Sequence, residues 1–347
     1  MKITKYLVEY LKHTRKIMVY DLVRDDYAAF NLSEHYVCLI LAHKSLDTLS
    51  KIFPVNIKNL GYGSAKDFPL LSEKLRITAL LTIVMLEDTI LLLTPKCCYS
   101  DCKKILHEFL GENCFLDELV RVYLIEGPGA ASEVGAMINE DVRFLQYYDS
   151  VQFSFAHHNQ AENVCLRCSF FGEVGFLLFM INENAEAEKR CMTNLNFQSF
   201  DDDDIDTLVN EANSKVFNKS VFRHDCPIEI GLSHILDFED DEFYFHQELN
   251  EAKKRNKRRI VAIQCEKNPS ENSGDLGCIG SLSSVDGSEV GILLRTFYSK
   301  TMNRVIGYAL VDRDKSYLGS KLSNNLYETI EVHKTPFFVT KSNFLTA

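Results

Sequence analysis

Apolar and polar positions along this chain fall into runs whose period changes several times. Residues 165–180 read Cys-Leu-Arg-Cys-Ser-Phe-Phe-Gly-Glu-Val-Gly-Phe-Leu-Leu-Phe-Met, two apolar runs around a Gly172-Glu173-Val174-Gly175 centre. Runs of that length around paired glycines predict two buried strands joined at a bend. Glu173 is the one carboxylate in the stretch. Either it is solvated at a hairpin tip, or it is held at the bend to accept hydrogen bonds from a flat, donor-rich ligand.

Residues 36–41 predict a strand, and 44–53 a helix with Leu46, Leu49 and Ile52 at helical spacing. A turn at 59–63 leads to an apolar stretch at 75–85; Glu87-Asp88 then turns the chain into a strand at 89–94, which Pro95 stops. The spacing of Ile105, Leu106, Phe109 and Leu110 predicts a helix over 99–110, ended by Gly111. Residues 119–125 read as a strand, and 130–138 as a helix with small residues that allow close packing. Between them, Glu126-Gly127-Pro128-Gly129 lacks the lysine and the glycine spacing of a phosphate cradle, and reads as a strand-to-helix turn.

Four aspartates at 201–204 precede a helix over 205–212, where negative charge suits the helix N-terminus. A further helix over 247–254 has acids before it and bases after it. From Arg259 onward the pattern becomes short strands over 259–265, 289–297, 305–311, 328–332 and 337–340, separated by polar turns. The whole is an α+β chain whose C-terminal end forms a separate small β-domain.

Composition narrows the function classes. At 347 residues, 46% hydrophobic and 25% charged, the chain is an ordinary globular one with room for two or three domains. No run approaches the roughly 20 apolar residues of a membrane span. A net charge of −11 opposes broad nucleic-acid binding; the local exception is Lys253-Lys254-Arg255-Asn256-Lys257-Arg258-Arg259, which a solvated helix end explains more simply.

Eleven cysteines without framework spacing indicate a reducing compartment. Cys165 and Cys168 lie three apart on a strand, so their thiols should diverge, and Cys97, Cys98 and Cys102 lack zinc-site partners. No metal is expected. The first sixteen residues are basic with helical Leu/Tyr spacing, which suits a mitochondrial targeting helix or an ordinary first helix. The scattered histidines, among them His157, His158, His224, His234 and His246, are given no catalytic role.

Taken in order, these landmarks resemble the aminomethyltransferase (T-protein) family of the glycine cleavage system and its folate-binding fold. The resemblance is carried by Phe53-Pro54-Val55-Asn56-Ile57-Lys58-Asn59-Leu60, Leu71-Ser72-Glu73-Lys74-Leu75, Glu126-Gly127-Pro128-Gly129-Ala130 and Arg167-Cys168-Ser169-Phe170-Phe171-Gly172-Glu173-Val174-Gly175-Phe176. Glu211-Ala212, Pro227-Ile228-Glu229-Ile230-Gly231-Leu232, Val305-Ile306-Gly307-Tyr308 and Pro336-Phe337-Phe338 follow at matching distances. It implies two α/β domains in a ring plus a C-terminal β-barrel. Residues 1–29 would be an N-terminal helix, 30–257 the bipartite body and 258–347 the barrel. It also implies tetrahydrofolate in a central cavity and a nearby aspartate handling the transfer chemistry.

Glu173 and Arg167 fall on cofactor-binding positions of the family, and Glu211 and Asp67 are further candidates. The family's catalytic aspartate does not survive: its segment matches Ile77-Thr78-Ala79-Leu80, which puts Ala79 and Leu80 at the acidic positions. The arginine that meets the folate tail is replaced by Val209. A sister branch serving iron–sulfur cluster assembly is resembled at Tyr244, Gln247 and Glu248, but Phe243 replaces its cysteine.

The expectation is therefore a catalytically degenerate aminomethyltransferase-like protein without a catalytic residue or bound cofactor. It would act as a structural or interaction subunit with protein partners in a mitochondrial matrix assembly. The alternatives are a divergent tetrahydrofolate-dependent transferase, with Glu173, Asp67 and Glu211 as its acid/base groups, and an iron–sulfur assembly factor.

Overall fold

A computed structural model describes residues 18–111, 114–116, 119–154, 163–181, 192–201, 203–213, 226–267, 280–335 and 337. The amphipathic first sixteen residues, His157, His158, His224 and the strand expected over 338–340 lie outside the described residues. Helix α1 (Val19–Asp25) leads into β1 (Ala28–Asn31) and β2 (Tyr36–Ala42). A tight turn at His43–Ser45 then opens α2 (Leu46–Ile52). Strands β3 (Ala65–Leu71), β4 (Ile77–Met85) and β5 (Thr89–Pro95) precede α3 (Tyr99–Leu110) and the short β6 (Phe115–Leu116). Next come β7 (Val120–Glu126), α4 (Ala130–Ile138), β8 (Ser150–Phe153), β9 (Asn163–Cys168), β10 (Gly175–Ile181) and β11 (Phe197–Gln198). Helices α5 (Asp203–Ala212) and α6 (His246–Arg255) precede six strands: β12 (Arg258–Lys267), β13 (Gly280–Ser284), β14 (Glu289–Ser299), β15 (Arg304–Asp312), β16 (Lys321–Ser323) and β17 (Tyr327–His333).

These form three sheets. One has the order β11-β1-β7-β10-β9-β8, the second β3-β4-β5-β2-β6, and β12 to β17 close a six-stranded barrel. Strand β3 carries Pro69, which the sheet tolerates because β3 is an edge strand. Strands β9 and β10 pair antiparallel with almost every side chain buried, since both faces of their sheet are covered. One face packs into the cluster of Phe30, Phe171 and Leu177, and the other packs with Val134 and Ile138 of α4. Cys168 belongs to the first face and Cys165 to the second, so the two thiols do diverge. Burial pushes both thiols above their ordinary range.

The bend between β9 and β10 requires its glycines. Gly172 has φ +89°, and a Cβ on Gly175 would lie 2.7 Å from the Cys168 carbonyl oxygen. No helix among the described residues is long and apolar enough to cross a membrane. Nor, among those residues, does any group of three or more His, Cys, Asp and Glu side chains come together as a metal site would require.

Candidate functional site

The bend at 169–174 is organised from beneath by Glu126, the last residue of β7. Its side chain is fully buried and accepts from the Ser169 hydroxyl at 2.7 Å. It also accepts from the backbone N–H groups of Phe170 at 2.8 Å, Phe171 at 2.8 Å and Glu173 at 3.1 Å. Burial pushes this carboxyl up to about 7, while the four donors pull the other way. The sequence marks Glu126 only as the first residue of a strand-to-helix turn. The detectable signal is a carboxylate ending an apolar strand that pairs with the start of β10.

With the backbone held this way, the Glu173 side chain turns inward. It is 4% exposed, which removes the reading of a solvated hairpin tip. Its partner is Arg24 of α1, whose Nη1 donates to Glu173 Oε1 at 3.2 Å and to the Phe171 carbonyl at 2.8 Å. The Nη2 of the same guanidinium donates to Glu211 Oε2 at 2.9 Å. Thus two sequence-predicted residues, Glu173 and Glu211, are brought together by a third that the sequence reading did not single out. Tyr20, one helical turn before Arg24, donates its hydroxyl to Glu211 at 2.8 Å, and its ring centroid is 5.4 Å from the guanidinium carbon.

Glu211 is fully buried on α5 and also accepts from Ser299 Oγ at 2.6 Å. Lys300 reaches Asp204 of α5 at 2.6 Å. One polar network therefore runs from β7 through the bend, α1 and α5 to the end of barrel strand β14. Val209, on the same helix as Glu211, is buried in the apolar core.

The other two candidates meet the 145–148 segment. Arg167 on β9 donates its Nη1 to the Leu145 carbonyl at 2.7 Å, and its backbone carbonyl receives the Tyr148 N–H at 2.8 Å. Asp67 on β3 is buried and accepts from Thr82 Oγ1 at 2.6 Å and from the Tyr148 hydroxyl. Arg167 and Asp67 thus share the 145–148 segment. Ala79 and Leu80 are buried on opposite faces of β4, Ala79 against the α2 and α3 layer and Leu80 against Ile228 and Ile230. Both are core positions. Phe243 is likewise buried, beside Leu232 and Leu249, whereas Tyr244 is exposed.

Burial pushes the Asp67 carboxyl from 3.8 up to about 6, against the pull of Thr82 and Tyr148. The sign follows from linkage. A carboxyl raised on folding contributes stability that is complete below its unfolded pKa and disappears as pH rises through the folded one. Relative to Asp67→Asn, the protein should lose about 2 kcal/mol of unfolding free energy between pH 4 and pH 7. Urea unfolding of both proteins across that window measures it, and a pH-independent difference would contradict it.

No protein-family model matches the chain. An aminomethyltransferase from Caldanaerobacter subterraneus is 23% identical over 206 residues, covering 57% of this chain and 52% of that protein. One from Alkaliphilus oremlandii is 22% identical over 220 residues, covering 60% and 55%. The matched stretch thus spans about half the length of these curated relatives. The crystal structure of glycine cleavage system aminomethyltransferase T from Bartonella henselae superimposes with a TM-score of 0.75 at 16% identity. That superposition covers 92% of this chain and 89% of the other. This chain is a divergent bearer of the aminomethyltransferase fold. The closed barrel and the two sheets ahead of it belong to that T-protein architecture, and the Arg24–Glu173–Glu211 contact sits within it.

Proposed function

We propose that this T-protein-like chain has given up folate-dependent transfer and works as a structural or interaction subunit, in a mitochondrial assembly reached through its basic N-terminal segment. The observation that carries the reading is Arg24 between Glu173 and Glu211. The resemblance to the aminomethyltransferase family implies that the carboxylate of the Gly-Glu-x-Gly bend would face the donor edge of a pterin. That edge is a 2-amino-pyrimidinone, chemically a guanidine fragment, and here a guanidinium of the chain itself supplies those donors to Glu173 at 3.2 Å.

The residues present do not fit tetrahydrofolate. Its entry at Glu173 would require removing Arg24 from two carboxylates whose side chains are 5% and 0% exposed. No acid stands at positions 79 and 80, and Val209 offers nothing to a folate tail. Losing several charged contacts at about a hundredfold each leaves no useful affinity. Isothermal calorimetry with tetrahydrofolate should show no saturable heat up to about 1 mM, where total binding energy is only about 4 kcal/mol. Micromolar binding that Glu173→Ala abolishes in a folded protein would overturn the proposal.

One observation favours a second reading, a divergent transferase with relocated acid/base groups. Asp67, with Tyr148 donating to it and its carboxyl raised to about 6, has the protonation behaviour of a general acid or base near neutrality. Tetrahydrofolate-dependent turnover that Asp67→Asn removes would establish it. The iron–sulfur reading has less to stand on, because the position of its thiolate is filled by the buried Phe243.

A further inference from the structure

Several members of the basic run that ends α6 are taken up in local contacts. Arg255 pairs with Glu251 at 2.7 Å and Arg258 with Asp312 at 2.8 Å, while the Lys253 ammonium lies 3.7 Å from the Phe238 ring centroid. Arg259, the last member, has no carboxylate partner among the described residues. Its Nε donates to Ser316 Oγ at 2.5 Å and its Nη2 to the Ser316 carbonyl at 2.6 Å. Ser316 thereby fixes the guanidinium plane while using only two of its five N–H donors.

We propose that Arg259 is the anchor of a binding site for a small organic anion with a flat apolar body, at the barrel edge where β12 runs past β17. The edge arises from unequal ladders. Strand β12 pairs with β15 back to Arg258, but its pairing with β17 stops at Ala262 opposite His333. Residues 258–261 therefore have no β17 neighbour. Of their backbone groups, the Ile260 N–H is satisfied by the Glu229 carbonyl at 2.7 Å.

A cavity of about 680 Å³ opens there, within the roughly 300–1,000 Å³ range of small-molecule sites. Its lining includes Arg259, His333 and Lys334 and, among the described residues, no carboxylate, in a chain whose net charge is −11. Local cationic lining against an acidic whole selects for an anion. Apolar atoms of Ile260 and Val332 complete the wall, and Tyr317 and Leu318 stand at the rim 63% and 69% exposed. The Tyr308 hydroxyl is committed to the Asn210 carbonyl at 2.7 Å, which leaves its ring as lining. A phosphate or carboxylate on Arg259 and Lys334, with a ring against this wall, uses each of these features.

The inference does not depend on whether Arg24 closes the other site. The test is calorimetric titration of the full chain with three probes: adenosine 5′-monophosphate, 2-naphthoate and uncharged adenosine. At least one of the two anions should bind, and adenosine should not. Binding of the monophosphate alone assigns a phosphate, binding of naphthoate alone a carboxylate, and either outcome supports the site. Arg259→Gln should weaken the bound anion about tenfold or more, and the exposed Lys334→Gln severalfold. Arg255→Gln, in the same basic run but outside the cavity, should change nothing. If Arg259→Gln fails to fold, Lys334→Gln against Arg255→Gln decides. Absence of binding by both anions at millimolar concentration overturns the proposal. So does adenosine binding as tightly as the anions, or Arg255→Gln weakening them as much as the cavity variants do.

Discussion

Replacing Arg24 with alanine should lower the unfolding free energy by about 3–5 kcal/mol, the cost of breaking a buried ion pair from one side. The cause is what remains behind. Glu173 and Glu211 would face each other across an emptied volume, with side chains 5% and 0% exposed and the Arg24 guanidinium gone. Glu211 would keep the Tyr20 and Ser299 hydroxyls, and Glu173 would lose its charged hydrogen bond from Arg24. Arg24→Lys should recover less than half of the loss, because one ammonium cannot serve the Phe171 carbonyl and both carboxylates as the planar fork does. Glu173→Gln placed on Arg24→Ala should recover part of it by removing one of the two charges. Urea unfolding followed by circular dichroism reads all three variants. A loss below about 1 kcal/mol in Arg24→Ala would mean that water reaches the carboxylates, and the closed-site reading would fall with it.

How much of this was legible beforehand depends on how local the signal was. Helices α3 and α4 lie where apolar spacing put them, at Tyr99–Leu110 and Ala130–Ile138, because each presents one apolar face and ends at a residue with positive φ. The β9–β10 bend was readable from its paired glycines. Strand β3 was not, since Pro69 in Ala65–Leu71 argues against a strand until its edge position is known. Strands β1 and β8 have four residues each, too short for a period to show. The barrel's closure depends on pairings between distant strands such as β12 and β17, which no window of sequence contains.

The site divides in the same way. Glu173 could be flagged because it is a lone carboxylate among apolar neighbours. Arg24 could not, because in Val-Arg-Asp-Asp a charged residue reads as surface. Its partners Glu173 and Glu211 lie 149 and 187 residues away in the chain. Only the Tyr20–Arg24 spacing hinted that the two side chains share a helix face.

The residue on which that whole arrangement depends is Glu126, and Glu126→Ala should be the more damaging substitution. It removes one acceptor from four donors at once: the Ser169 hydroxyl and the N–H groups of Phe170, Phe171 and Glu173. Three of those donors are backbone groups of fully or nearly fully buried residues. Each orphaned group costs about 1–3 kcal/mol, so the expected loss is 4 kcal/mol or more, roughly enough to unfold a marginal protein. Glu126→Gln keeps one acceptor oxygen but turns an amide donor toward N–H groups, and should fall between the alanine variant and the parent. Coupling is the sharper readout. Glu126 sets the backbone from which Glu173 meets Arg24, so in a Glu126→Gln background Arg24→Ala should cost at least 1 kcal/mol less than in the parent. Strict additivity of the two substitutions would show that Arg24 and Glu173 find each other without the bend. The carboxylate at the end of β7 would then be holding only its own loop.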